Sequence, residues 1–216
     1  MANDRQYAAA TERNRQPILE VLQAVLPNRG TVLEIASGTG EHAAFFAPQL
    51  AHLQWLPTEP QAALRDSIRG WRIAWPAANF LAPLALDVSR RPWPVEKPSV
   101  ETLPIAKRLE LEPITAIVNI NMIHISPWVM CEHLMAGAER ILPPGGVLYL
   151  YGPFRQVGVQ TAPSNEAFDR MLRDRNSAWG LRDLEAVCET AITHSLKHIQ
   201  TIPMPANNLS VVFHRQ

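Results

Sequence analysis

Val32-Leu33-Glu34-Ile35-Ala36-Ser37-Gly38-Thr39-Gly40 is a short apolar run that breaks into a Gly-x-Gly turn, and the residues after it, Glu41–Leu50, have a helical composition. Thr31–Ala36 is read as the first strand of the chain and Glu41–Leu50 as a short helix. Glycines at such a bend adopt dihedrals closed to other residues and let a ligand approach the backbone without meeting a Cβ. A strand, a glycine turn and a helix in that order open an α/β sheet whose ligands bind beyond the carboxyl ends of the strands.

The flanking sequence repeats the alternation. Thr11–Leu26 carries Ile18, Leu19, Leu22, Val25 and Leu26 at helical spacing and stops at Pro27. Leu53–Pro57 reads as a second strand, Ala62–Trp75 as a helix, and Pro83–Val88 as a third strand. Ser89–Pro113 holds five prolines and reads as an elaborated connection, with a helix expected near Ile105–Leu111. Ile114–Asn121 is almost wholly apolar and is expected to be a central strand. Pro127–Leu142 follows as a helix, Val147–Tyr151 as a fifth strand, and Pro163–Arg175 and Arg182–Ile192 as two more helices. Ser195–Ile202 and Leu209–His214 close the chain as strands joined by the Pro203–Asn208 loop. The pattern predicts a single α/β domain over residues 1–216 with a Rossmann-like sheet.

Composition narrows the function. Twenty Lys+Arg balance twenty Asp+Glu, which argues against a protein held to nucleic acid by phosphate neutralisation. An apolar content of 47% excludes a disordered chain. The two cysteines, Cys131 and Cys188, form no CxxC pair and no disulfide scaffold. No apolar run is long enough to span a bilayer, and Met1–Arg15 lacks the apolar core of a secretory signal. A cytoplasmic protein with no membrane or nucleic-acid partner is expected. No metal site is expected either, because His194 and His198 have no Cys or acid at structural-zinc spacing.

Two acids fall in register with the turn. Glu59 ends the second strand nineteen residues after Gly40, where an acid is placed to accept hydrogen bonds from both hydroxyls of a ribose. Asp87 ends the third strand on the same edge. Gly38-Thr39-Gly40-Glu41-His42-Ala43 fits the dinucleotide pattern G-x-G-x-x-G/A, so NAD is one candidate ligand. Glu34 favours another. A carboxylate four residues before Gly38 suits the positive charges of S-adenosylmethionine better than a pyrophosphate. Asp87 suits hydrogen bonding to an adenine amine.

The turn resembles the first motif of class I S-adenosylmethionine-dependent methyltransferases, an acid followed by Gly-x-Gly-x-Gly, with Ala36 in place of the first glycine. Further blocks are similar to one small methyltransferase-like family described as a domain of unknown function. They are Glu12-Arg13-Asn14-Arg15 with Pro17-Ile18-Leu19, Leu33 to His42, and Asn121-Met122-Ile123-His124-Ile125-Ser126-Pro127-Trp128. They continue with Tyr151-Gly152-Pro153-Phe154, Ala162-Pro163-Ser164-Asn165, Trp179 to Glu185, and Met204-Pro205-Ala206-Asn207-Asn208. The likeness covers nearly the whole chain, and the Ser89–Pro113 connection is longer than the family pattern. The resemblance implies a three-layer sandwich around a seven-stranded, mostly parallel sheet in the order 3-2-1-4-5-7-6 with the seventh strand antiparallel. It also implies cofactor binding, and residues 1–30 as an N-terminal helix or lid.

On that reading Glu34, Ala36, Ser37, Gly38, Gly40, His42, Glu59, Pro60, Asp87, Val88, Asn121 and Met122 are expected around the cofactor. Arg13 is expected to pair with the cofactor's methionine carboxylate. His124 is the candidate base, since an imidazole titrates near neutrality. Trp128, Tyr151, Phe154, Asn165, Arg182, Asn207 and Asn208 are expected to line the acceptor side, for a small molecule or, alternatively, a protein side chain. Two rival functions remain open: an NAD-dependent oxidoreductase and a cofactor-binding protein without catalysis.

Overall fold

The computed structural model describes residues 5–96 and 111–216. Helix α1 spans Ala9–Val25, β1 Thr31–Ile35, α2 Glu41–Gln49, β2 Gln54–Pro57, and α3 Ala62–Ala74. After the connection come β3 at Ile114–Ile120, a 3-10 turn at Met122–His124, α4 at Val129–Ile141, and β4 at Val147–Gly152. The two-residue strands β5 (Phe154–Arg155) and β6 (Arg182–Asp183) pair with each other and flank α5 at Pro163–Arg175. Helix α6 at Leu184–Thr193 leads into β7 (Leu196–Met204) and β8 (Asn208–Arg215).

Among the described residues the main sheet has six strands in the order β2-β1-β3-β4-β8-β7. β2, β1, β3 and β4 run parallel, and β8 runs antiparallel to both β4 and β7. Successive side chains of a strand point to opposite faces, so each buried strand feeds two cores. Leu33, Ile35, Ile117, Leu148 and Leu150 pack with Leu134, Met135 and Val187 of α4 and α6. Val32, Ala116, Val118 and Tyr149 pack with Ile18, Leu22, Phe46 and Ile68 of α1, α2 and α3. Helices therefore cover both faces, as a parallel sheet requires.

The sheet has one strand fewer than expected. The segment Pro83–Val88 forms no strand; only two isolated parallel bridges, Trp55 with Phe80 and Thr58 with Leu84, mark its place beside β2. The reason is a pair of facing prolines. Trp55 exchanges both of its backbone bonds with Asn79 and Leu81, but the next donors in the ladder would be Pro57 and Pro83, and neither has an N–H. The chain resumes pairing one residue out of step, at Leu84. The order of the main sheet accordingly lacks its expected first member.

The helix expected near Ile105–Leu111 falls largely on residues 97–110, outside the described residues. Before that gap the connection folds inward. Trp93 is buried against Gly137 of α4, and Glu96 pairs with Arg140 at 2.7 Å. Among the described residues no helix is long and apolar enough to cross a membrane.

Candidate functional site

The glycine turn is stapled to the end of β2. Ser37 N donates to Thr58 O at 2.8 Å, Thr58 N to Glu34 O at 2.9 Å, and Thr58 Oγ1 to the same carbonyl at 2.8 Å. Glu34 supports the turn from beneath. Its Oε2 accepts from Ser37 Oγ at 2.9 Å and from Trp55 Nε1 at 3.0 Å, in a side chain that is fully enclosed. This corrects the expectation of a carboxylate beside the ligand: Glu34 lies on the same sheet face as Trp55, turned into the protein. Burial pushes its pKa up to about 7, against the opposing hydrogen bonds from Trp55 and Ser37.

Three residues of the turn have left-handed backbone: Ala36 (φ 55°), Gly38 (φ 55°) and Gly40 (φ 88°). They serve different ends. A Cβ on Gly40 would lie 2.7 Å from Ile68 Cγ1, so this glycine lets α3 close on the turn. A Cβ on Gly38 would meet nothing within 4 Å. Gly38 thus faces open space while its amide is held at 3.1 Å by Glu59 Oε2. Glu59 Oε1 accepts from Gln61 N at 3.1 Å. Each carboxylate oxygen keeps a further lone pair for a ligand hydroxyl. Burial raises the Glu59 pKa, partly offset by the bonds from Gln61 and Gly38 and by the Arg65 charge.

From Glu59 the rim continues to Asp87. Pro60, Ala85, Leu86, Asp87 and Arg90 border a hollow of about 230 Å³. Asp87 Oδ1 accepts from Ser89 Oγ at 2.6 Å and Ser89 N at 2.9 Å, which hold its pKa low. Pro60 and Asp87 thus share this hollow, whereas Glu59, buried at 3% exposed and bonded to Gly38, adjoins it through Pro60 without lining it. Val88 and Met122 do not join it; both are packed in the core beside α4.

A second cavity, about 330 Å³, opens further along the sheet between α1, the ends of β3 and β4, α5 and the β7–β8 loop. It gathers Arg13, Asn121, Tyr151, Asn165 and Asn208, five residues expected around the cofactor or the acceptor. Asn121 stands at φ 64° and caps β3, with its N–H donating to Tyr151 O at 2.9 Å. Asn165 Nδ2 donates to Asn207 O at 2.9 Å and so ties α5 to the β7–β8 loop. Phe154, Asn165, Asn207 and Asn208 also border an adjoining cavity of about 240 Å³.

Asn14 and Phe168, which are not among the candidates read from the sequence, line the larger cavity as well. The Asn14 side chain accepts from His42 Nε2 at 2.8 Å and also bonds to Tyr151, whose hydroxyl pKa is raised by burial. His42 is accordingly a partner of α1. It stacks on Phe46 at 5.4 Å, and burial and the Arg15 charge push its pKa down to about 3. In the sequence Asn14 stands beside Arg13 in the N-terminal helix without a role of its own; the contacts with His42 and Tyr151 supply one.

Three expected acceptor-side residues lie elsewhere. His124 is wholly buried, edge-on to Phe154 at 4.8 Å, with neither ring nitrogen hydrogen-bonded. Desolvation drives its pKa to about 3. Its Nε2 would lie 2.3 Å from a Cβ on Gly152, so the ring fills the space under β4 and does not line the cavity. Arg182 is held by carbonyls: Nε donates to Ile123 O at 2.9 Å and Nη2 to Ala178 O at 2.9 Å. Its guanidinium also lies over the Trp128 ring at 5.9 Å. Arg182 and Trp128 brace the turn after β3, because a guanidinium half-removed from water is satisfied by the carbonyls that this turn leaves unpaired.

A parallel sheet with a glycine turn after its first strand, helices on both faces and an antiparallel strand beside the last parallel one is the fold of class I S-adenosylmethionine-dependent methyltransferases. Solved structures agree. The mitomycin 7-O-methyltransferase MmcR aligns with a TM-score of 0.74 at 13% identity, over 96% of this chain and 55% of its own. An O-methyltransferase family protein from Burkholderia thailandensis aligns with a TM-score of 0.74 at 14% identity, over 96% and 57%. The SAH-bound form of CalO1, a methyltransferase in calicheamicin biosynthesis, gives 0.67 at 13% identity, over 94% and 54%. The chain spans little more than half the length of these proteins.

Residues 5–215 match the family described as "Protein of unknown function (DUF938)", and the chain belongs to it.

Proposed function

We propose that this protein is an S-adenosylmethionine-dependent methyltransferase acting on a small-molecule acceptor. The observation that carries the reading is the open face of Gly38, whose amide is held by Glu59 from the neighbouring strand. A turn kept in left-handed geometry with empty space before it is a backbone built for close approach by a ligand. Glu59 offers hydroxyl acceptors beside it, and the hollow between Pro60 and Asp87 has room for a base at the next strand position. When bound, the cofactor supplies a methyl group on a sulfonium, and its departure leaves a neutral thioether.

The chain's share of the work is then positioning. Good alignment of nucleophile and methyl carbon accounts for much of the rate when the leaving group is already good. The acceptor is assigned to the 330 Å³ cavity, whose size suits a small molecule. It lies at the ends of β3 and β4, one and two strands from β1, or about 5–10 Å at the usual strand spacing. No proton transfer is assigned to His124, because its ring is sealed beneath Gly152.

Calorimetry with S-adenosylhomocysteine and with NAD tests the proposal. Saturable binding of S-adenosylhomocysteine, lost at least tenfold in Gly38→Val, is the expected result. Binding of NAD in preference would move the protein to the oxidoreductases. Cofactor binding without methyl transfer to any small molecule of a broad acceptor library would leave a cofactor-binding protein without catalysis.

A further inference from the structure

The 330 Å³ cavity has a composition that goes beyond "small molecule". Among the described residues its one charged lining residue is Arg13, exposed on the first turns of α1, and no acid lines the cavity beside it. Among the described residues no carboxylate pairs with the Arg13 guanidinium, whereas Arg140, Arg155 and Arg173 each have an acidic partner within 3.0 Å. Phe168, 36% exposed, lines the same cavity from α5. Pro153 and Pro205 extend the apolar wall. Asn14 is fixed by His42 and Tyr151, and Asn165 by the Asn207 carbonyl, so the polar wall is held in place before any ligand arrives.

An unpaired guanidinium and a bare aromatic ring lining one cavity describe a ligand with two ends. One end is an anion that matches the planar fork of the guanidinium, and the other is a flat apolar body. We infer that the acceptor is a small carboxylate with a planar apolar body, its carboxylate held by Arg13 and its ring laid against Phe168. The inference rests on the methyltransferase reading for the word "acceptor", but the binding site stands by itself. It also reassigns Arg13. The glycine turn, Glu59 and Asp87 contribute nothing to this cavity, whereas Asn165 and Asn208 from the far end of the chain do. Arg13 therefore serves the ligand on the β3–β4 side and not the cofactor.

Ligand-observed NMR titration of the whole chain with benzoate and with its neutral analogue benzamide tests this, beside calorimetry with S-adenosylhomocysteine. Benzoate is expected to bind at least tenfold more tightly than benzamide. Arg13→Gln is expected to abolish that preference and to leave the S-adenosylhomocysteine affinity within twofold. Because Arg13 is exposed, this substitution leaves the core untouched. Phe168→Ala is expected to weaken benzoate and benzamide alike, by threefold or more. Equal binding of the two probes, no binding of benzoate, or an Arg13→Gln variant with unchanged benzoate affinity would overturn the inference. So would a tenfold loss of S-adenosylhomocysteine affinity in Arg13→Gln, which would return the guanidinium to the cofactor. If benzoate binds through Arg13 while S-adenosylhomocysteine fails to bind wild-type protein, the methyltransferase reading falls and the carboxylate site remains.

Discussion

Glu34 gives the sharpest quantitative test of the turn's construction. Its carboxyl sits on the core side of the sheet, and burial raises its pKa from 4.5 to about 7. In the unfolded chain it ionises near 4.5, so between these values the folded state holds a proton that the unfolded state has released. Stability must therefore fall as pH rises through this window, and flatten above it. At about 1.4 kcal/mol per pH unit the full difference is about 3 kcal/mol. Glu34→Gln removes the titration and keeps the shape. The Gln carbonyl accepts the same bonds from Ser37 and Trp55 that Oε2 accepts now.

Urea unfolding of both chains at pH values from 4 to 8.5, followed by tryptophan fluorescence, measures the effect. Any fixed gain or loss from replacing the acid is independent of pH and drops out of the trend. His42 and His124, both held neutral by burial, give the opposite slope below their usual 6.5, but they do so equally in the two chains. The wild type is expected to lose about 3 kcal/mol relative to Glu34→Gln between pH 4.5 and 7. A difference that stays constant across the range would show that Glu34 is ionised in the folded protein, and the account of the turn's support would fail with it.

The two turn glycines are expected to separate stability from binding. Gly40→Ala forces a methyl to 2.7 Å from Ile68 Cγ1 and 3.0 Å from its Cα at φ +88°, and is expected to cost about 2 kcal/mol or more in thermal unfolding. Gly38→Ala meets no atom, so only its left-handed backbone costs stability, about 1 kcal/mol, while the methyl projects into the proposed ligand space and weakens S-adenosylhomocysteine at least tenfold. Gly152→Ala would drive a methyl to 2.3 Å from His124 Nε2; a loss of about 2–3 kcal/mol in chemical denaturation is expected, and a variant as stable as wild type would show that the buried ring has room to move.

Much of the architecture was legible because it rests on local signals. The run Val32–Gly40 declares a strand and a turn by itself, and Ile18, Leu19 and Leu22 mark the buried face of α1. The third strand misled because Leu84, Leu86 and Val88 have strand-like alternation. What cancels the strand is Pro57 facing Pro83, a pairing between segments that no local window contains. The same limit applies to the site. Glu59 and Asp87 could be placed on one edge from strand ends alone. That Glu34 points into the core, that His124 is sealed, and that Arg182 is spent on carbonyls depend on which neighbours surround each side chain. Asn14 is the extreme case, since its partners His42 and Tyr151 are 28 and 137 positions away.

Topology explains why these distant residues meet. In parallel strands the carboxyl ends share one edge, so Asn121 after β3 and Tyr151 in β4 stand side by side. β8 runs the other way, which puts its beginning at that edge: Gly152 of β4 faces Leu209, and Asn208 precedes it. The reversal of a single strand thus carries the β7–β8 loop over the ends of β3 and β4 and closes the cavity from the far side. α1 closes it from the near side, with Asn14 bonded at once to Tyr151 in the cavity wall and to His42 at the start of the helix that follows the glycine turn. His42 thus stands one hydrogen bond from Asn14, and Arg13 is Asn14's neighbour in the chain. Helix α1 therefore links the wall of the 330 Å³ cavity to the helix that follows the glycine turn.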